Sequence, residues 1–296
     1  MTLSSKIYYM NDKTPLIATL LLSCADRKGL VAEISQFIFQ RGGNILNLDE
    51  HVEKEENMFF TRVEWDTEEV ILSRQEFELE FAQLAEKFFA DYKIFYNDKK
   101  HQAAIFVSKY EHCLQEILWL NSIGDITADI KLIVSNHPDL EPLADQYKIP
   151  FHLIPVSHNK KKAEAAELKL LKENEVDTVI LARYMQVLSD EFVKEYPFKI
   201  INIHHSFLPA FVGVNPYRQA YEKGVKIIGA TSHYVTADLD EGPIIEQGVA
   251  RISHKDSLKD LISKGRELER SVLAKAVKYH LANRVLPFGK KTIVFE

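Results

Sequence analysis

Cysteine is almost missing from this chain. Cys24 and Cys113 stand alone, with no Cys-x-x-Cys pair, so neither a disulfide framework nor a thiolate zinc site is expected. Long hydrophobic runs are missing too. No segment reaches membrane-spanning length, and Met1–Pro15 holds no apolar core of the signal-peptide kind, which predicts a soluble protein of a reducing, cytoplasmic compartment. Nor is there a surplus of positive charge. A net charge of −6 and a pI near 6.0 argue against nucleic acid or an anionic membrane as partner. The one dense basic run, Lys160-Lys161-Lys162, reads as a solvated helix start. Neither a Gly-x-Ser-x-Gly elbow nor a His-Glu-x-x-His zinc motif occurs, which removes two common hydrolase designs. What is left is an ordinary globular composition, 46% hydrophobic over 296 residues, long enough for two domains.

The first hundred residues read as a small separate domain. Leu16–Ser23 is a short apolar run, hence a buried strand. After the polar turn Ala25-Asp26-Arg27-Lys28-Gly29, Leu30, Val31, Ile34, Phe37 and Ile38 fall at helical spacing, and Gly42-Gly43-Asn44 ends that helix. Ile45–Glu53 and Met58–Trp65 read as paired strands, Phe77, Phe81, Leu84 and Phe88 as a second amphipathic helix, and Tyr92–Tyr96 as a last strand. The order βαββαβ is a ferredoxin-like unit with both helices on one sheet face. Its polar turn is a place where a small anionic or zwitterionic ligand could meet helix N–H groups, although a plain helix cap at Asp26 explains the same residues. Asn97-Asp98-Lys99-Lys100 is the expected linker, between a domain at 1–97 and another at 101–296.

Beyond the linker the pattern becomes α/β. The apolar runs Ala103–Val107, Ile130–Val134, Phe151–Ile154 and Thr178–Ala182 alternate with helical segments, as in a doubly wound, mostly parallel sheet with its site at the carboxyl ends of the strands. Ile200–His204 is a further such strand, and it carries Asn202 and His204 two positions apart, on one face. Strands at Ile227–Thr231 and Ile244–Ile252 form a later hairpin, and the acidic segment His233–Ile245, with Asp238, Asp240 and Glu241 before Gly242-Pro243, falls within it. A long helix from Ser257 to about Leu281, opened by a Ser257/Asp260 capping box, closes the pattern.

An imidazole beside a carboxylate moves protons near neutral pH, and a side-chain amide can donate to a developing oxyanion. With no nucleophile elbow, water or an amine is the expected attacking group. A metal gathered by His204, His205, His233 and Asp240 is the rival arrangement, while a satisfied core histidine and a plain Asp-Gly-Pro turn are the uneventful ones. On the residues alone this stays at hydrolase or transferase.

Two stretches narrow it. Ala25–Val31 followed by Gly42-Gly43-Asn44-Ile45 resembles the ACT domain, a module that binds amino acids and pairs with copies of itself. The resemblance implies a homo-oligomer with an amino-acid effector near Asp26, Gly29 and Asn44. Asn202-Ile203-His204-His205-Ser206-Phe207-Leu208-Pro209 together with His233–Ile245 resembles the signature of folate-dependent formyltransferase domains, over a match from about Ala103 to the C-terminus. That resemblance implies a catalytic triad of Asn202, His204 and Asp240 and no metal. It implies a folate site at Arg183, Met185, Gln186, Val187 and Leu188 and at Thr236, Ala237 and Asp238. No tightly bound cofactor is implied, since the folate is the substrate.

The acceptor of the formyl group is the finer point. Relatives that formylate a phosphorylated amine have a glycine-rich turn after the first strand, where this chain reads Ser108-Lys109-Tyr110-Glu111-His112, without glycine. That departure, the ACT-like module and His205 in place of the proline common among relatives imply the branch that hydrolyses 10-formyltetrahydrofolate to formate and tetrahydrofolate; His205 is either a water-positioning group or a structural residue behind the site. Transfer to an amine, and a non-catalytic folate or amino-acid sensor, are the alternatives; formate appearing with water as sole acceptor separates them.

Overall fold

The computed structural model describes residues 15–156, 159–208 and 216–296; Pro209 and the segment before Pro15 lie outside them. The chain divides into two compact units, Met1–Lys99 and Lys100–Glu296.

The first unit runs β1 (Ile17–Ala25), α1 (Leu30–Gln40), β2 (Asn44–Glu53), β3 (Met58–Asp66), α2 (Arg74–Phe88), β4 (Asp91–Tyr96). Its antiparallel sheet has the order β2-β3-β1-β4. Alternate residues Ala18, Leu20, Leu22 and Cys24 of β1 are buried with Leu30, Ile34 and Ile38 of α1 and with Phe77, Phe81 and Phe88 of α2, the period-2 and period-3.6 patterns meeting in one core. Helix α2 starts with a capping box in which the Ser73 side chain accepts from the Glu76 backbone and the Glu76 side chain from that of Ser73. Helix α1 does not start as expected. Asp26 does not cap it: the N-cap is Gly29, at φ 92°, with no side-chain cap. The left-handed turn at Gly29 separates Asp26 from the first helical turn, and the Asp26 backbone N–H bonds instead to the Asn57 carbonyl at 2.8 Å.

The second unit begins with β5 (His101–Val107), α3 (His112–Ser122), β6 (Ala128–Ser135), a 3₁₀ turn at Pro138–Leu140, α4 (Glu141–Gln146) and β7 (Phe151–Leu153). It returns through α5 (Lys160–Glu173), β8 (Thr178–Leu181), α6 (Asp190–Glu195), β9 (Ile200–His204), α7 (Pro216–Lys223), β10 (Ile227–Tyr234) and β11 (Ile244–Arg251). The last elements are α8 (Leu258–Leu281), β12 (Val285–Phe288) and β13 (Lys291–Val294), the latter two a small hairpin. The central sheet has the order β11-β10-β9-β8-β5-β6-β7. It is parallel from β9 to β7 and antiparallel on both sides of β10.

Both faces of that sheet are covered. Ala103, Ile105 and Val107 of β5 pack with Leu114 and Ile117 of α3 and Leu273 and Val277 of α8. Ala104 and Phe106 face the opposite layer, with Leu171 of α5 and Phe192 of α6. The central sheet is therefore mostly parallel and covered on both sides, the α/β organisation that the apolar runs predict. Strand order reverses between β5 and β8, so the crevice above their carboxyl ends is the expected site. Ser108, Arg183 and His205 all follow strand ends there. Among the described residues, no helix is long and apolar enough to cross a membrane.

Candidate active site

Strand β9 presents Asn202 and His204 from one face, and β10 lies directly beside it with His233 opposite Asn202 and Thr231 opposite His204. Cross-strand partners on one face approach closely: the Asn202 amide nitrogen is 3.2 Å from His233 Nε2. The His233 Nδ1–H donates to the Tyr234 carbonyl at 2.9 Å, which leaves Nε2 to accept from Asn202 and orients the amide. The loop between β10 and β11 folds back to carry Asp240 to the same place. Its Oδ2 is 3.2 Å from His204 Nδ1 and its Oδ1 is 3.6 Å from His233 Nε2.

Two backbone features hold that loop. Asp240 sits at φ 56°, a left-handed conformation that Asp tolerates better than most residues. A Cβ on Gly242 would lie 1.7 Å from the Tyr234 carbonyl oxygen, so no side chain fits where the loop crosses the end of β10. Hydrogen bonding to His204 holds the Asp240 carboxyl well below the usual carboxylate range despite partial burial. Asp240 is thus a fixed anion. Opposite it, His204 Nε2 is buried and has no hydrogen-bond partner among the described residues.

Beside this triad lies a second buried group. Arg183, immediately beyond β8 at φ 63°, sends Nη1 to His205 Nδ1 at 2.6 Å, and its Nε lies 3.4 Å from Glu269 Oε2. Glu269, on α8, also meets His112 Nε2 at 2.7 Å through Oε2 and the Tyr217 hydroxyl at 2.5 Å through Oε1. Burial alone would raise the Glu269 carboxyl; His112, Arg183 and Tyr217 outweigh it and hold it below its ordinary value. One turn earlier on α8, a Cβ on Gly265 would stand 2.2 Å from the Tyr217 ring, so the glycine admits that ring. Burial, and then the Arg183 charge, push His205 down to about 4. Its ring is stacked on that of His204, centroids 5.2 Å apart and 26° between planes.

The structure therefore brings Asn202, His204 and Asp240 together, with His205 against them. Of the four residues considered as a metal set, His204, His233 and Asp240 interact directly, while His205 turns its Nδ1 to Arg183. The ligating atoms of His112, Cys113 and Glu269 also lie within 4.8 Å of one another, but Glu269 there already faces the Arg183 guanidinium. The Arg183 side chain is buried in this cluster, whereas Met185, Val187, Ala237 and Asp238 are exposed and Gln186, Leu188 and Thr236 partly so. The Met185 N–H donates to the Ser108 hydroxyl at 3.0 Å, which ties the segment after β8 to the end of β5. In the first unit, Gly29 and Asn44 are exposed and Asp26 half-buried. Sequence reasoning passed over the orienting role of His233, whose place opposite Asn202 depends on strand register. It also passed over Tyr217 and Glu269, and it saw His112 only as the last residue of a glycine-free turn.

Residues 101–277 match a family model described as "Formyl transferase". A formyltetrahydrofolate deformylase of Synechocystis sp. is 53% identical over 95% of this chain and 99% of its own length. One of Bacillus subtilis is 46% identical over 93% of each. The crystal structure of a formyltetrahydrofolate deformylase from Pseudomonas syringae pv. tomato superposes with a TM-score of 0.93 at 39% identity, covering 98% of this chain and 96% of that one. A glycinamide ribonucleotide transformylase from Symbiobacterium toebii superposes with a TM-score of 0.63 at 29% identity, covering 68% of this chain and 97% of its own.

Proposed function

Because the chain belongs to the formyl transferase family, in its formyltetrahydrofolate deformylase group, we propose that it hydrolyses 10-formyltetrahydrofolate to formate and tetrahydrofolate through Asn202, His204 and Asp240. The reaction returns formate and free folate to one-carbon metabolism, and the folate enters as substrate. The observation that carries the triad's roles is the His204 ring: Asp240 takes its Nδ1 at 3.2 Å, and Nε2 is buried without a partner among the described residues. With Nδ1–H committed to a carboxylate, Nε2 offers its lone pair to a water molecule.

Water attacks the formyl carbon as its proton passes to His204 Nε2, and the Asp240 charge supports the imidazolium. The oxyanion is stabilised by the Asn202 amide, whose second N–H remains after the first is engaged by His233. The proton then moves to N10, the C–N bond breaks, and tetrahydrofolate leaves with formic acid, which gives its proton to solvent to become formate. Water as acceptor fits the turn after β5. The Ser108 hydroxyl is spent on Asn136 and the Met185 N–H, and His112 Nε2 on Glu269. The segments 183–188 and 236–238 are the proposed folate contacts. Formate release from 10-formyltetrahydrofolate with water as sole acceptor tests the assignment; formyl appearing only on an added amine overturns it.

The unit before the linker is, in this reading, an ACT-type regulatory domain at 1–97 ahead of a catalytic domain at 101–296, in a homo-oligomer of the cytoplasm. Support comes from its βαββαβ order and from a first helix that opens at Gly29 with no side-chain cap. Asp26, Gly29 and Asn44 are the proposed effector contacts. The same formate assay repeated across amino acids tests this; a rate that no amino acid changes counts against it.

A further inference from the structure

The Glu269 cluster is costly. A carboxylate 1% exposed and a guanidinium 9% exposed are removed from water, and such a pair is often no more stabilising than apolar residues of the same volume. Arg183 also sits at a left-handed φ of 63°, a conformation unusual for a long side chain. Glu269 joins α8 to α3 through His112, to α7 through Tyr217 and to the end of β8 through Arg183. His205 links this cluster to the triad: its Nδ1 meets Arg183 and its ring is stacked on His204.

Arginine has no acceptor and stays protonated. Its Nη1 at 2.6 Å from His205 Nδ1 therefore requires Nδ1 to accept, which places the ring's proton on Nε2 and excludes the imidazolium. We propose that Glu269 is a positioning residue for the hydrolysis: through Arg183 it holds His205 as a neutral Nε2–H imidazole against His204, so that His205 donates to the oxygen of the attacking water while His204 removes its proton. This rests on the reaction proposed above. A donor fixed beside a base places the water without competing for its proton, whereas a His205 free to protonate or to flip its tautomer would do neither reliably. The charged and titratable groups around His205 are Arg183 beyond β8, Glu269 on α8, Tyr217 on α7, His112 on α3, and His204 and Asp240 of the triad. Burial and Arg183 together hold it low.

The test uses the full chain and two readouts. Histidine side-chain ¹⁵N spectra between pH 5 and 8 report the His205 state without reference to activity. The native protein should show one neutral Nε2–H ring throughout, and Glu269→Gln should show exchange between tautomers. In formate release, Glu269→Gln should lower kcat by about 10²-fold with KM for 10-formyltetrahydrofolate within about twofold, since uniform binding is untouched. In the His205→Gln background the same change should cost almost nothing more. Arg183→Gln should steepen the acid limb of log kcat against pH, because a second imidazole then titrates. If Glu269→Gln does not fold, Arg183→Lys, which keeps the charge but loses the fork spanning both partners, gives the same comparison. Costs of Glu269→Gln and His205→Gln that add, or a native His205 protonated at Nδ1, overturn the proposal. A native His205 held as described in a protein that releases no formate counts against the reaction and leaves the tautomer lock standing.

Discussion

Two groups of ion pairs in this chain, one in each unit, spend charge in opposite ways. In the first, three pairs lie on the surface, Arg41 with Glu80 and Arg74 with Asp98, both at 2.5 Å, and Lys87 with Glu33, on side chains from 21% to 58% exposed; only Arg62, 3% exposed and paired with Glu64, is buried among the described pairs of that unit. Solvent screens such pairs, and ordering two long side chains offsets most of their attraction. In the second unit Glu269, Arg183, His204 and Asp240 carry their interactions at 1% to 14% exposure. There the desolvation penalty is large and each partner is needed by the next. Surface pairs decorate a fold whose stability comes from packing such as Phe77 and Phe81 edge-on to Phe37. The buried pairs hold geometry, and they are where single substitutions should act most strongly.

The largest effect is expected at the triad. Asp240→Asn removes the anion that fixes His204, and kcat for formate release should fall by about 10⁴-fold while tetrahydrofolate affinity, read by fluorescence titration, changes little; near-normal turnover would refute the role. Next, Glu269→Ala leaves Arg183 and His112 buried with no carboxylate and should lower the unfolding free energy by about 3–5 kcal/mol, measured by urea denaturation. A third expectation concerns pH. His205 in the folded state is held at about 4, below its ordinary unfolded value near 6.5. The unfolded chain therefore binds more protons between those values, and stability is lost as pH falls from about 6.5 to 4. The loss should be about 2–3 kcal/mol. Asp240, also depressed, adds to it below about pH 4. Denaturation of the native chain and of His205→Gln at pH 7 and 4.5 checks this, since the variant should lose less. The smallest effect belongs to the first unit. Lys87→Ala, which breaks the exposed pair with Glu33, should cost less than about 0.5 kcal/mol; a cost near that of Glu269→Ala would end the contrast.

What could be read from the sequence follows the same division. Elements with a continuous burial pattern were legible: the runs around Ile105, Ile133 and Ile180, the paired Asn202 and His204, and the Ser257/Asp260 box that opens α8. Short elements were not. α6 and α7 have six and eight residues, too few to show a period, and the β12–β13 hairpin carries no marked alternation. Asp26 met the composition of a helix cap, but the cap is decided by φ at Gly29, which composition does not record. The Glu269 cluster was hidden for a different reason. Its members lie as far as 157 positions apart, on four separate segments, so no local spacing announces it; a glutamate within an otherwise apolar stripe of α8 was the one available sign.

The bulge between Ser232 and His233 bears on how such a chain can change over generations. Strand β10 keeps one register with β9, which sets His233 against Asn202, and takes up a shift only toward β11, at the end of the sheet. A residue gained or lost along β11 is absorbed there, in a strand with Val249 facing solvent, and the inner pairing is not disturbed. A residue gained within β9 has no such slack: it would move either Asn202 or His204 to the far side of the sheet. The sheet's margin therefore has room for a change of length that the two-residue spacing of Asn202 and His204 does not have.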